Sequence, residues 1–257
     1  MPTPSGEGAC SVLPFCKGRF RARLAETSGD LRAVQRLRYL AFRQPGAGRG
    51  ARDGLDRDAF DAHCRHLMIE TEGGDLVATC RFLSLGTGND LSSCYSAQFY
   101  DLQPLRGLRG PKLEIGRFCL AEGQGDPDVL RIAWAGLTRM VEALGAVALF
   151  GCSSFPGTDP ATHRDALALL GARHRPPEGL GPGQRGGEVV ALPAGPFDER
   201  QALQQMPGLL RSYLAMGGWV SDHAVIDRDL GTLHVLTVVD IAAIPPARAR
   251  LLRADAV

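Results

Sequence analysis

The sequence predicts an α/β fold in which a twisted mixed sheet carries helices on both faces. Segments with alternating apolar residues, which indicate strands, are interspersed with segments of helical periodicity. In addition, one strand–helix–strand unit spans 112–155, and such a crossover packs its helix against the sheet. We therefore expect one domain over 17–245, flanked by tails at 1–16 and 246–257.

The first predicted elements are a strand, a helix and a hairpin. Apolar residues alternate with Lys17, Arg19, Arg21 and Arg23 over 17–24, which indicates a strand with a cationic outer face. A helix is predicted from a cap at Asp30 to Phe42. Two strands, over 66–71 and 76–83, flank two glycines that are typical of a hairpin turn.

Further elements follow the same signals. Lys112–Leu120 is predicted to be a strand, and a helix follows over 127–144, opened by Asp126 and Pro127 and closed by Gly145. The remaining predictions are a strand over 146–155, helices over 161–170 and 207–216, and strands over 219–226 and 233–241.

Composition limits the classes of function. The net charge of +1 provides no general attraction for nucleic acid. Seven cysteines without a C-x-x-C pair or secretion signal indicate reduced thiols and a cytoplasmic protein. His63, Cys64 and His66 lack a second pair of ligands, so no metal site is expected. No apolar run reaches the ~18 residues of a membrane span, which leaves only peripheral contact with the inner membrane.

The predicted strand Lys112–Leu120 contains an acid and a base three residues apart. In a regular strand Glu114 and Arg117 would point to opposite faces, because side chains alternate. A bulge at Gly116 would bring both to one face. The pair is then either part of a functional site or a structural ion pair.

Other charged residues occur where apolar ones are expected. Arg38 falls in the apolar stripe of the first helix, and Arg81 shares a strand face with apolar neighbours. Asp58 and Asp61 follow a Gly- and Arg-rich segment, 44–57, that is interpreted as a mobile lid. We expect Arg38 to border an open cleft, so that its loss would reduce activity more than stability.

The ordered set Arg38-x-x-x-Phe42, Asp58-x-x-Asp61, Arg81 and Glu114-x-x-Arg117 resembles the acyl-homoserine-lactone synthases and related GNAT-like N-acyltransferases. The string Leu149–Pro160, with Leu209–Leu214 and Ala224–Asp227, resembles the L-ornithine Nα-acyltransferases of ornithine-lipid synthesis. The resemblance covers 20–240 and implies a GNAT-like fold. It also implies transfer of a 3-hydroxyacyl group from acyl carrier protein to L-ornithine, without a cofactor.

The resemblance and the chemistry together assign candidate roles. Glu114 would take the proton of the attacking amine, with Arg117 beside it. Substrate contacts are expected from Arg38, Phe42, Asp58, Asp61 and Arg81. The thioester and acyl chain would meet Phe118, Cys119, Leu120 and Phe150, by direct transfer and not through an acyl-enzyme. The cationic face of 17–23, with Arg106 and Arg109, would bind the acidic carrier protein.

Two alternatives remain open. The first is a signal synthase of the lactone type, which the absence of a Trp between Phe42 and Asp58 disfavours. The second is a non-catalytic module that binds acyl chains or acyl carrier protein. Buried charges cost stability unless they are used, and their retention here disfavours this reading.

Overall fold

The protein, analysed as a computed structural model, is described over residues 12–43, 53–86 and 91–256. Its helices there are α1 (Ser28–Phe42), α2 (Pro127–Leu144), α3 (Arg164–Arg173), α4 (Glu199–Gln205), α5 (Gly208–Ala215) and α6 (Pro246–Ala256). The strands there are β1 (Phe15–Lys17), β2 (Phe20–Leu24), β3 (Arg65–Thr71), β4 (Leu76–Leu85), β5 (Tyr100–Asp101), β6 (Lys112–Leu120), β7 (Ala148–Pro156), β8 (Gly183–Gln184), β9 (Glu188–Ala191), β10 (Trp219–Asp227) and β11 (Thr232–Asp240). The predicted α/β class is confirmed.

The chain divides into two compact units. The first contains 1–84, 113–146 and 246–257, and the second contains 85–112 and 147–245. In the part of the chain that the structure describes, no helix has both the length and the apolar character to cross a membrane.

The first unit is a sheet with helices on both faces. Its strand order is β1-β2-β3-β4-β6, and the first four strands are antiparallel. Leu67 of β3 packs against α2 where Gly136 lets the helix approach closely. The adjacent residue, His66, points to the other face, where its register partner Arg81 and Arg38 of α1 both donate to Asp61.

The N-cap of helix α1 lies three residues before the predicted cap, Asp30. Thr27 is the N-cap, and its hydroxyl accepts from the N–H of Asp30. Asp30 reaches back to the N–H of Thr27, so the two residues form a capping box. The buried face contains Val34 and Leu37, as the periodicity predicts, and also Arg38.

The second unit contains an antiparallel sheet in the order β7-β11-β10-β9. One face packs on α3, α4 and α5 through a core that includes Phe155, Leu170, Leu210 and Val235. Strands β5 and β8 pair separately. The register of β10 against β11 shifts between Val220 and Ala224, which marks a bulge.

Both predicted tails need correction. Residues 246–256 form α6, which packs on α2 through a bond from Arg253 Nε to Glu142 Oε1 (3.0 Å). At the other end, 1–11 lie outside the described residues, but β1 already begins at Phe15. The predicted strand 17–24 is in fact split by a turn at Gly18, whose φ of +57° suits glycine.

Candidate active site

The first unit brings four arginines together with three aspartates. We call this group the charge network; its members are Arg38, Arg43, Arg81, Arg117, Asp56, Asp58 and Asp61. The arginines come from α1, the residue after it, β4 and β6, whereas the aspartates come from the segment before β3. Each of the four predicted groups of charged residues therefore contributes to this network. They are Arg38, the pair Asp58 and Asp61, Arg81, and Arg117.

Asp56 is at the centre of the network. Its carboxylate meets Arg38 (Nη2, 2.7 Å), Arg43 (Nε, 2.7 Å) and Arg117 (Nε, 3.2 Å) and is 1% exposed. Burial alone would raise the pKa of Asp56, but the guanidinium groups of Arg117 and Arg38 lower it to about 2. Asp56 is therefore ionised in the folded protein at neutral pH.

Asp61 and Asp58 are both bound by Arg81. The Nη1 atom of Arg81 lies 2.6 Å from Asp61 Oδ1 and 2.5 Å from Asp58 Oδ1. Asp61 also meets Arg38 (2.7 Å) and the amide of Gln35 (3.1 Å). Burial opposes ionisation of Asp61, yet the charge of Arg38 lowers its pKa overall. The Asp58 side chain is 21% exposed, so of the three aspartates it is the most open to a ligand.

Strand β6 is irregular at Arg117. The φ angle of this residue is +53°, a left-handed conformation that is uncommon outside glycine and costs about 1–3 kcal/mol. The irregularity was predicted one residue earlier, at Gly116. Such conformations occur most often at functional sites, and here the ion pairs of Arg117 with Asp56 and Asp58 hold it.

Glu114 lies on the same strand and is 5% exposed. It lies close enough to affect the thiol of Cys64, as do Arg81, Asp58 and Asp61. Burial is the main cause that raises the pKa of Cys64 to about 11. Glu114 is thus a buried carboxylate on the strand that carries Arg117, and its role as a general base stays a prediction.

Comparison with known proteins identifies the family. Residues 37–135 match the Acetyltransferase (GNAT) domain family. An L-ornithine N(alpha)-acyltransferase of Rhodobacter capsulatus is 34% identical over 235 residues, which cover 87% of this chain and 91% of the relative. The chain belongs to the L-ornithine N(alpha)-acyltransferase family. It is an acyltransferase with a GNAT-like fold.

Two further comparisons agree. The L-ornithine N(alpha)-acyltransferase of Brucella abortus is 29% identical, over 88% of this chain and 86% of the relative. The crystal structure of MesI, a CoA-dependent acyl-homoserine lactone synthase, superposes with a TM-score of 0.50 at 13% identity, covering 92% of this chain and 95% of that one. At that identity the likeness concerns the fold alone.

Two thiols of the first unit, Cys64 and Cys119, are poor candidates for a nucleophile. Burial raises the pKa of Cys119 to about 12, so both Cys119 and Cys64 are protonated at neutral pH. This agrees with direct transfer of the acyl group. Cys119 is 6% exposed, whereas its neighbours Phe118 and Leu120 are half-buried.

Two other predicted contacts are not members of the charge network. Phe42 is half-buried in the last turn of α1, and Phe150 belongs to β7 of the second unit and is 3% exposed. Their contact with an acyl chain stays a prediction.

One expectation about the charged residues needs correction. Arg38 is 1% exposed, so it does not border an open cleft. Of the predicted lid 44–57, residues 44–52 lie outside the described residues. Near its end, the N–H of Asp56 donates to the carbonyl of Gln35 (3.0 Å). Arg117 forms ion pairs with Asp56 and Asp58.

The predicted cationic face of β1 and β2 is largely neutralised within the unit. Lys17 pairs with Asp255 (2.9 Å), and Arg19 pairs with Asp126. Arg23 binds Asp30 and Glu70. Arg21 remains exposed. This face therefore offers less positive charge than the sequence indicates.

Asp56 and Arg43 are the members of the network that the sequence did not predict. Asp56 lies in an acidic run, Asp53-x-x-Asp56-x-Asp58-x-x-Asp61, of which only Asp58 and Asp61 were predicted as site residues. The recurrence of aspartate in this run is the sequence signal that indicates Asp56.

Proposed function

We propose that this acyltransferase moves a 3-hydroxyacyl group from acyl carrier protein to the α-amine of L-ornithine. The observation that carries the proposal is the 34% identity to an L-ornithine N(alpha)-acyltransferase over nearly the whole of both chains. The product, an N-acylated ornithine with a free 3-hydroxyl, would belong to the synthesis of ornithine lipids.

The reaction requires removal of a proton. The α-ammonium group of an amino acid cannot attack a thioester until it is deprotonated. Glu114 takes this proton, directly or through water. The amine nitrogen then forms a bond to the thioester carbon, the carbon–sulfur bond breaks, and the departing thiolate takes up the second proton that the nitrogen loses as the amide forms. The thioester supplies the driving force, so the step needs no cofactor.

Negative charge develops on the carbonyl oxygen in the transition state. The irregular backbone at Arg117 interrupts the regular geometry of β6 just before Phe118, Cys119 and Leu120. Backbone N–H groups of these residues are our candidates for the oxyanion hole, a role worth about 3–4 kcal/mol per donor in other enzymes.

The charge network holds the acceptor side of the site. Asp58 is the aspartate with the exposed edge, and it would contact the side-chain ammonium of ornithine. Arg81 and Arg117 bind Asp58 and fix its orientation. Arg38 and Asp61 are too buried to touch the acceptor and serve as positioning residues.

One experiment tests the proposal. The purified protein is incubated with acyl carrier protein loaded with 3-hydroxypalmitate and with each of a panel of amino acids, and products are identified by mass spectrometry. We expect N-acylornithine as the main product, with lysine and homoserine as matched alternatives. A different preferred acceptor would overturn the ornithine assignment, and no product with any acceptor would overturn the transfer itself.

A further inference from the structure

Helix α6 of the first unit has an exposed face that the reaction above does not use. The helix packs on α2, and Leu252, which is 9% exposed, belongs to its buried side. Four residues at spacings of three or four share another face, and all of them are exposed: Ala247, Arg250, Leu251 and Ala254. At 52% exposure, Leu251 is the most exposed large apolar side chain among the described residues. This outer face of α6 therefore combines a leucine with positive charge and contains no acid.

The charge of α6 is positive because the acids around it are already paired. The helix contains three arginines and one acid, Asp255. Asp255 forms an ion pair with Lys17 of β1 (2.9 Å), and Glu142 of α2 forms one with Arg253 (3.0 Å). Two arginines of the helix have no ion-pair partner among the described residues: Arg248 and Arg250. The helix thus keeps positive charge that the unit does not neutralise.

The start of α2 extends this surface. Arg131 of α2 approaches Asp255 of α6, with 3.9 Å between Nε and Oδ2. The side chain of Arg131 is 53% exposed, and its neighbour Leu130 is 37% exposed. Among the described residues four large apolar side chains are exposed, and two of them, Leu130 and Leu251, belong to this pair of packed helices. Arginine and leucine exposed together are typical of a helix that lies on a lipid surface.

We propose that the outer face of α6 binds the surface of a membrane that contains anionic lipids. The arginines are attracted to the phosphate groups of the lipid heads, and Leu251 enters the apolar boundary below them. One leucine and two unpaired arginines give a weak and reversible contact. An N-acylated ornithine with a long acyl chain would pass from the enzyme into such a membrane. The inference rests on the proposed function only in this last respect.

Sedimentation with vesicles tests the contact. The purified protein is mixed at low salt with vesicles of phosphatidylcholine alone, or of phosphatidylcholine with phosphatidylglycerol, and the bound fraction is measured after centrifugation. We expect binding to the anionic vesicles only, and weaker binding at high salt. Arg250→Gln and Leu251→Ser should each lower this binding by about 5-fold. Both side chains are exposed, so neither change should affect folding, which circular dichroism checks.

Helix α4 provides matched controls. Arg200 and Leu203 are exposed on this helix, where Glu199 balances the charge of Arg200. Arg200→Gln and Leu203→Ser should bind anionic vesicles like the parent protein. A loss of binding in these controls equal to that in the α6 variants would show that the contact is not specific to α6 and would overturn the inference.

Other outcomes would also overturn it: equal binding of the parent to both kinds of vesicle, no binding to either, or parental binding in both α6 variants. A raised KM for the acylated carrier protein in the α6 variants, assayed without vesicles, would instead make α6 a surface that docks an acidic protein. Vesicle binding does not depend on turnover. If the protein acylates no amino acid, the proposed function fails, and the membrane contact is still decided by sedimentation.

Discussion

At the scale of single residues, two buried charged side chains of the first unit have different expected roles. Glu114 is the proposed general base, whereas Arg38 is enclosed within the charge network. Both are at most 5% exposed, so burial does not separate the roles. Substitution separates these roles, because loss of a general base lowers turnover, whereas loss of a buried ion-pair partner lowers the free energy of unfolding.

Glu114→Gln should keep the fold and lower kcat by about 100-fold or more, since glutamine preserves shape but cannot take a proton. The measurement is the turnover of ornithine, with a denaturation midpoint to confirm folding. Glu122→Gln, at an exposed residue just after β6, is the control. Parental turnover in Glu114→Gln would make Glu114 structural.

Arg38→Ala should destabilise the protein by about 3–5 kcal/mol, because it removes one buried counter-charge from each of Asp56 and Asp61. This reverses the expectation from the sequence, which placed Arg38 at an open cleft. Urea denaturation measures the loss. Arg32→Ala, on the exposed side of α1, should change the midpoint little; a comparable midpoint for both variants would contradict burial of Arg38.

Asp56 should make stability depend on acid pH. Its pKa is lowered to about 2 in the folded protein, so the stabilisation is present above the ordinary aspartate pKa and is lost as pH falls through the folded value. The difference in unfolding free energy between the parent and Asp56→Asn should therefore shrink from about pH 4 to about pH 2. A difference that stays constant over this window would show that Asp56 is not held by its arginines.

At the scale of elements, α1 and β6 position the network. Helix α1 carries Arg38, and Thr27 and Asp30 cap its start. Arg23 forms ion pairs with both Asp30 and Glu70 of β3 and so connects the start of the helix to that strand. Strand β6 carries Glu114 and Arg117 and has an irregular backbone at the latter, with φ of +53°. The arrangement of the site therefore depends on the start of α1 and on the irregular backbone of β6 at Arg117.

Thr27→Ala should cost about 1 kcal/mol of stability, because the N–H of Asp30 loses its acceptor. Thermal or urea unfolding measures this loss. Ser28→Ala, at the exposed first residue of the helix, is the control and should change stability less. Equal effects of the two changes would argue against the capping box.

At the scale of the whole molecule, the proposed docking of an acidic carrier protein requires exposed positive charge. Lys17, Arg19 and Arg23 are engaged within the first unit. Arg106 and Arg109 of the second unit are exposed. They are the stronger candidates for the docking contact.

Replacing Arg106 and Arg109 by alanine should raise KM for the acylated carrier severalfold at low salt and less at high salt, with kcat nearly unchanged. Lys17→Ala is the control, since its charge is paired with Asp255. Equal KM values for the parent and the double variant at low salt would exclude this docking surface.

Much of the fold was predictable because its signals are local. Helix α2 occupies the predicted range 127–144, with Asp126 as N-cap and Gly145 in the left-handed conformation. The hairpin of β3 and β4 was also predicted from its turn residues. The sequence does not predict helix α6, because the apolar face of this segment is short. The helix is identified only from its packing against α2.

The sequence by itself determined the α/β class, most element positions and the residue types of the site, because capping, turn chemistry and periodicity act within a few residues. It also determined that Arg38 and Arg81 need acidic partners, since isolated buried charges are costly. Only the tertiary structure decided which acids these are. It places Asp56 between Arg38, Arg43 and Arg117, and it leaves Asp58 the more exposed partner, because segments distant in sequence meet at one point.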